Sequence, residues 1–308
     1  MKKSSKIYVA GHTGLVGSAI VRLLQKKGYN NLVLRDKEEL DLCDQTAVRI
    51  FFEKEKPEYV FLAAAKVGGI VANQTYPADF VYINLQIQNN ILHNAYLFKV
   101  KKLLFLGSSC IYPRDCPQPI KEEYLLSGPL EPSNIAYAIA KIAGLIECQS
   151  YNKQYVTNFI SVMPTNLYGP NDNFDLKTSH VLPAMIRKFD QAKKDNAKEV
   201  VMWGTGKAKR EFLYVDDLAD ACFFLMQKYN GPDTINIGTG IDDSIKDLAL
   251  LIKKTVGYEG KIVWDKTKPD GTPRKWLNVK KLHTLGWKHK IALEKGLKMT
   301  YDWYKANS

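Results

Sequence analysis

Tyr137 and Lys141 stand four residues apart in the run Tyr137-Ala-Ile-Ala-Lys141. On a helix, positions i and i+4 share one face, so the spacing directs a phenol and an ammonium into the same space. An ammonium held near a phenol stabilises the phenolate and lowers its pKa. A phenol tuned in this way can act as general acid or base near neutral pH. Upstream, the apolar run Leu103-Leu-Phe-Leu106 ends in Gly107-Ser108-Ser109-Cys110. That run reads as a strand whose end presents a Ser hydroxyl to the same substrate oxygen. Tyr-x-x-x-Lys arises often by chance, so the surrounding pattern decides what it means.

The elements that must position these groups form a regular alternation. Residues 6–10 read as a buried strand. Gly11-His12-Thr13-Gly14-Leu15-Val16-Gly17 follows, and residues 18–27 carry helical periodicity. A glycine turn between a first strand and a first helix lets the backbone approach a pyrophosphate, which the helix N-terminus favours. The spacing is GxxGxxG. Strands are expected at 31–35, 57–65, 102–107 and 156–162, with helices at 45–55 (capped by Asp44), 78–98 and 134–153. This alternation predicts an α/β fold with a doubly wound parallel sheet of the Rossmann type. Residues 1–175 would form the cofactor-binding domain, with a segment near 210–240 returning to it. Residues 176–308 would mainly build a smaller α/β C-terminal substrate lobe. There the expected elements are helices at 179–194, 215–228 and 244–256 and strands at 199–203, 233–237 and 260–264.

The end of the second strand is where such a fold reads the adenosine ribose. An acid there favours a free 2′-hydroxyl and a base favours a 2′-phosphate. Arg35, Asp36 and Lys37 all stand there, and two bases against one acid lean the reading to NADP. Asp41 could face the adenine. The loop Lys66-Val-Gly-Gly-Ile70 lies at the carboxyl end of the third strand, where ligands sit in open parallel sheets. Asn84, Asn89, Asn90 and Asn94 in the following helix read mostly as structural or surface residues.

Composition removes other classes. With 308 residues, 45% of them hydrophobic, the chain can bury a proper core. No apolar run approaches membrane-spanning length, and the N-terminal strand is too short for a secretory h-region. A cytosolic location is the default reading. The five cysteines contain no CxxC pair, which suits reduced thiols, and no Cys/His cluster has zinc-ligand spacing. The net charge is +12, and +9 of it falls in residues 246–308. Those bases are interspersed with apolar residues, which suits solvated helix faces and attraction of an anionic small molecule more than nucleic-acid binding.

Together these motifs resemble the extended short-chain dehydrogenase/reductase family. More narrowly, the runs 63–73, 75–80, 106–113, 137–144, 161–170 and 268–275 resemble its GDP-sugar epimerase-reductases, over about residues 6–304. The resemblance implies epimerisation of GDP-4-keto-6-deoxy-D-mannose at C3 and C5, followed by NADPH-dependent reduction at C4. It implies Cys110 as the base and His180 as the acid for epimerisation. Ser108, Tyr137 and Lys141 would serve the reduction. Cofactor contacts would come from Gly11 to Gly17, Arg35, Lys37, Asp41, Leu42, Ala64, Leu106, Gly107, Ser108, Ser109, Lys141, Pro164, Thr165, Asn166, Leu167 and His180. Substrate contacts would come from Lys188, Trp203, Arg210 and Asp270. A homodimer built from helices 78–98 and 134–153 is implied as well. Thr13 and Asp36 depart from the family pattern and weaken a strict NADP preference. Without the resemblance, Cys110 reads as a plain strand-end cysteine, and His180 as a helix-terminal histidine preceded by the caps Thr178 and Ser179. The competing functions are a 4-epimerase or 4,6-dehydratase on the same scaffold, which would not consume NADPH, and a cofactor-binding regulator without catalysis.

Overall fold

The structure, a computed structural model, describes residues 1–268 and 270–308. Strands β1 (Ile7–Ala10), β2 (Leu32–Val33), β3 (Tyr59–Leu62), β4 (Lys102–Leu106), β5 (Phe159–Pro164) and β9 (Ile235–Ile237) build one sheet in the order β2-β1-β3-β4-β5-β9. Every pairing in it is parallel. The order reverses between β1 and β3, and this is the crevice where doubly wound sheets bind ligands.

Side chains alternate across a strand, and the core divides accordingly. Tyr8, Ala10, Val60, Leu103 and Phe105 face helices α2 (Gln45–Glu55), α4 (Pro77–Leu97) and α5 (Ile135–Tyr155). Ile7, Val9, Phe61, Leu104 and Leu106 face α1 (Leu15–Lys26) and α7 (Val215–Lys228). A third cluster fills the second lobe. It joins α6 (Val181–Lys194), β7 (Glu199–Trp203), β8 (Lys209–Tyr214), α8 (Ile245–Val256) and α10 (Leu293–Asn307). Here β6 (Asn166–Tyr168), β10 (Asp242–Ser244) and β12 (Arg274–Lys275) all pair with β8, while β7 pairs in parallel with β11 (Lys261–Asp265). Two short helices, α3 (Ile70–Thr75) and α9 (Lys280–Thr284), complete the set.

The doubly wound parallel sheet agrees with the sequence reading, and so does the Asp44 cap, whose carboxylate accepts the Ala47 N–H at 2.9 Å. Several boundaries differ. The strand expected at 156–162 is β5, three residues later. Val156 is left-handed (φ 55°) at the end of α5. The Asn152 side chain then closes the turn, bonding both the N–H (2.9 Å) and the carbonyl (2.7 Å) of Phe159. The strand expected at 57–65 stops at Leu62, because residues 63–69 leave the sheet and lead into α3, which lacked a sequence signal. The strand expected at 31–35 shrinks to two residues. The helix expected from 179 begins at Val181, with His180 as its N-cap residue and no side-chain cap. Thr178 and Ser179 are therefore not caps; the Thr178 hydroxyl donates to Asp175 at 3.0 Å. The loop expected at 268–273 includes Pro269, which lies outside the described residues.

Candidate active site

The glycine turn follows β1. Gly11 is left-handed (φ +79°), and a Cβ there would stand 2.8 Å from the backbone of Ala64 across the crevice. At Gly17 a Cβ would lie 2.0 Å from the Gly11 carbonyl oxygen. Only glycines allow the first turn of α1 to pack this closely on the turn. Gly14 is the N-cap of α1 and supplies no side-chain cap, so first-turn N–H groups remain available to a phosphate. His12 Nδ1, in the same turn, is buried without a partner. These features fit a bound dinucleotide pyrophosphate. At the ribose end, Arg35 Nη2 pairs with Glu55 at 2.8 Å. Lys37 is exposed there. Asp36 and Glu39 exchange hydrogen bonds with each other's N–H at 2.9 and 3.1 Å. Asp41 is exposed and accepts the Cys43 N–H at 2.9 Å. The Leu42 carbonyl accepts from Asn90.

Strand β4 ends at Leu106. Gly107 then passes so close to Met163 that a Cβ would meet its sulfur at 2.5 Å. Ser108 opens a single 3₁₀ turn over Ser109–Ile111, and its Oγ accepts the Cys110 N–H at 3.2 Å. Tyr137 and Lys141 do lie one turn apart on α5, with Lys141 Nζ 5.9 Å from the Tyr137 ring centroid. One of the three ammonium N–H groups nevertheless turns away from the phenol and donates to the Leu106 carbonyl at 2.8 Å. Burial alone lowers the Lys141 pKa to about 8. Burial raises that of Tyr137, the nearby Cys110 adds to the rise, and Ser108 opposes it. The expected lowering of the phenol by Lys141 is therefore absent in this state. Desolvation outweighs an ammonium aimed at a carbonyl.

Sequence reasoning gave Lys275 no role, yet its Nζ lies 3.6 Å from Cys110 Sγ. Burial pushes the thiol pKa up, but the Lys275 charge and hydrogen bonds with Ser108, Lys275 and Asn134 outweigh it, and the net shift is downward. Asn134, just before α5, is a second residue that was missed. His180 is exposed by surface area, yet neighbouring protein surrounds its ring. That burial, followed by the charge of Lys275, lowers its pKa. Lys275 thus acts on both groups of the expected acid–base pair. Lys275 was hidden because it is one lysine among many, placed by the β12–β8 register that sets it opposite Arg210.

The expected substrate residues gather on the second lobe. Lys188 Nζ lies 5.9 Å above the half-exposed Trp203 ring, and Lys268 Nζ lies 5.6 Å from it. Asp270 accepts the Thr205 N–H (2.7 Å) and hydroxyl (2.6 Å), which holds its pKa down. A Cβ on Gly204, next to Trp203, would stand 2.2 Å from Asp270 Oδ1. Arg210 has its pKa lowered by burial and feels the charges of Cys110 and Asp270. Pro164 ends β5. Thr165 and Asn166 both donate to the Glu211 carbonyl, at 3.1 and 2.8 Å, and Leu167 continues into β6. Glu211 itself is fully buried and accepts from Gly240 N–H (2.7 Å) and Leu277 N–H (2.8 Å). Among the described residues no helix is long and apolar enough to cross a membrane, and no cluster of three or more His, Cys, Asp or Glu could hold a metal ion.

A glycine turn at the switch point and a Ser/Tyr/Lys set beside the end of β4 define a dinucleotide-dependent enzyme of the short-chain type. The chain belongs to the NAD dependent epimerase/dehydratase family, whose model matches residues 7–238. It is 62% identical over 305 residues to GDP-L-fucose synthase 1 of Arabidopsis thaliana, covering 99% of this chain and 94% of the relative. Among solved structures it is similar to a GDP-6-OMe-4-keto-L-xylo-heptose reductase from Campylobacter jejuni (TM-score 0.96, 46% identity, 100% and 99% of the two chains). It is also similar to a GDP-D-glycero-L-gluco-heptose synthase from the same organism, solved in the presence of NADPH (TM-score 0.93, 46% identity, 99% of each chain).

Proposed function

We propose that the chain converts GDP-4-keto-6-deoxy-D-mannose to GDP-L-fucose, by epimerisation at C3 and C5 followed by reduction at C4. The observation that carries this reading is a thiol and an ammonium, Cys110 and Lys275, 3.6 Å apart in the cleft that also holds Ser108, Tyr137 and Lys141. A 4-keto group acidifies the protons on C3 and C5. Cys110, as thiolate, removes such a proton. His180 returns one to the opposite face of the enolate. Ser108 and Tyr137 hold the C4 oxygen, and Tyr137 gives it a proton as the carbonyl is reduced. NADPH, when bound, supplies the hydride. Gly11 to Gly17 would cradle its pyrophosphate, Arg35 and Lys37 would hold its 2′-phosphate, and Lys141 would hold the nicotinamide ribose. Arg210 and Lys188 grip the substrate diphosphate, and Trp203 and Asp270 flank it.

On this reading residues 1–175 with roughly 210–240 bind cofactor, and the remainder of 176–308 binds the GDP-sugar. The enzyme works in the cytoplasm as a homodimer joined through α4 and α5. Exposed apolar side chains on these helices, among them Tyr82 (61%) and Ile139 (46%), support that interface. A second reading rests on the heptose enzymes: a GDP-4-keto-heptose is the substrate and reduction at C4 is the main task. Purified protein given each keto-sugar with NADPH separates the two. GDP-L-fucose formation supports the first reading, and turnover of the heptose alone supports the second.

A further inference from the structure

We propose that Gly69 is a positioning residue that sets His180 against the reaction centre through a clasp between two loops. The inference rests on the reading of His180 as the proton donor in epimerisation. Two buried amides fix the loop that carries Gly69. Asn84 on α4, 2% exposed, accepts the Lys66 N–H and donates to the Lys66 carbonyl, both at 3.0 Å. Asn73 on α3, 6% exposed, donates to the carbonyls of Gly68 (2.9 Å) and Gly69 (3.1 Å). The loop is thereby bound to α3 and to α4, which packs on the main sheet.

From this fixed point Gly69 N–H donates to the Thr178 carbonyl at 2.9 Å. The contact leaves no space for a side chain. A Cβ on Gly69 would stand 2.6 Å from the Ser179 carbonyl oxygen. Its φ of −68° suits any residue, so the close approach alone excludes one. The opposing turn is stiff. Asp175 Oδ1 accepts from Lys177 N–H (3.0 Å), Thr178 N–H (3.1 Å) and the Thr178 hydroxyl (3.0 Å), and Ser179 N–H donates to the Asp175 carbonyl at 2.8 Å. A push at Ser179 moves this turn as a unit and carries the next residue, His180, with it. His180, the N-cap residue of α6, makes no side-chain cap bond to hold it back.

Gly69→Ala therefore displaces the imidazole while leaving Ser108, Tyr137 and Lys141 in place. A displacement near 1 Å costs on the order of 10²-fold in a positioned proton transfer. The test compares two steps in one variant. Deuterium uptake at C3 and C5 from D2O, counted only in keto-sugar of inverted configuration, reads epimerisation, since exchange on the original face needs Cys110 alone. The single-turnover burst of NADPH formed from GDP-L-fucose and NADP+ reads hydride transfer without prior epimerisation. Gly69→Ala is expected to lower uptake about 10²-fold and leave the burst within about threefold of wild type. Asn73→Ala, which loosens the same clasp, is expected to give a smaller split of the same sign and serves if Gly69→Ala does not fold. His180→Gln is the control. If it leaves uptake intact, the proton-donor reading fails and the clasp loses its purpose. If His180→Gln abolishes uptake while both clasp variants keep it, or lose both steps equally, the positioning role of Gly69 is overturned.

Discussion

Lys275 Nζ lies 3.6 Å from Cys110 Sγ, across 165 residues of chain. An ammonium at that distance favours thiolate over thiol. The same charge disfavours imidazolium at His180. One lysine thus acts on both members of the proposed pair, at His180 in second place after burial, and its removal shifts both in the same direction.

Lys275→Met is expected to raise the pKa of Cys110 and of His180 together. The pH profile of C3/C5 deuterium uptake then moves to higher pH. On the acid limb of that profile, where His180 already carries its proton, the rate falls about tenfold for each unit the thiol pKa rises. Uptake followed by NMR from pH 6 to 10 checks this; an unshifted profile contradicts it.

Lys141 carries a cost of burial. Its pKa falls to about 8 in the fold through burial, against about 10.4 in the unfolded chain. Between these values the unfolded chain holds the proton that the folded chain gives up, so this group makes stability rise as pH climbs from about 8 to 10. Below pH 8 the full penalty is present. Lys141→Met is expected to raise stability at pH 7 by about 1–2 kcal/mol, the relieved penalty less the lost bond to Leu106. It should also flatten the pH dependence and lower hydride transfer by about 10²–10⁴-fold. Urea titrations at pH 7 and 9.5 with a turnover assay measure both.

Arg35 has one face of its guanidinium committed to Glu55 at 2.8 Å, with the acid Asp36 beside it. Arg35→Ala is expected to lower kcat/KM for NADPH about tenfold and that for NADH less than twofold, as a 2′-phosphate contact requires. Equal losses with both cofactors would assign Arg35 to structure alone.

Glu211 is expected to hold the lobes in register. Its carboxylate accepts from Gly240, Leu277 and, at 3.3 Å, the Thr239 hydroxyl. Glu211→Ala strands these donors in a buried site, at a cost of about 3–5 kcal/mol. Calorimetry should show Tm lower by roughly 10 °C.

Much of this arrangement was legible in the residues because its signals are local. The glycine turn needs seven consecutive residues, Tyr137 and Lys141 need one helical turn, and Asp44 caps the helix that follows it directly. What escaped notice depends on tertiary register. Lys275 reaches Cys110 only because β12 pairs with β8. The aim of Lys141 at Leu106, instead of at the Tyr137 hydroxyl, follows from how α5 packs on β4. Val156 reads as a strand residue by type, but Asn152 and the end of α5 claim it for a turn. Gly69 lies in a loop expected near the ligand, but its bond to the Thr178 carbonyl depends on tertiary packing and has no local signal.

The most direct test of a Cys110-driven epimerisation followed by reduction is one reaction in D2O containing GDP-4-keto-6-deoxy-D-mannose and NADPH, run with wild type and Cys110→Ser. Wild type should form GDP-L-fucose carrying deuterium at C3 and C5, with one NADPH oxidised per product. Cys110→Ser should lose deuterium uptake while still oxidising NADPH slowly. Deuterium uptake at the wild-type rate in Cys110→Ser, or no NADPH oxidation by the wild type, would contradict the account.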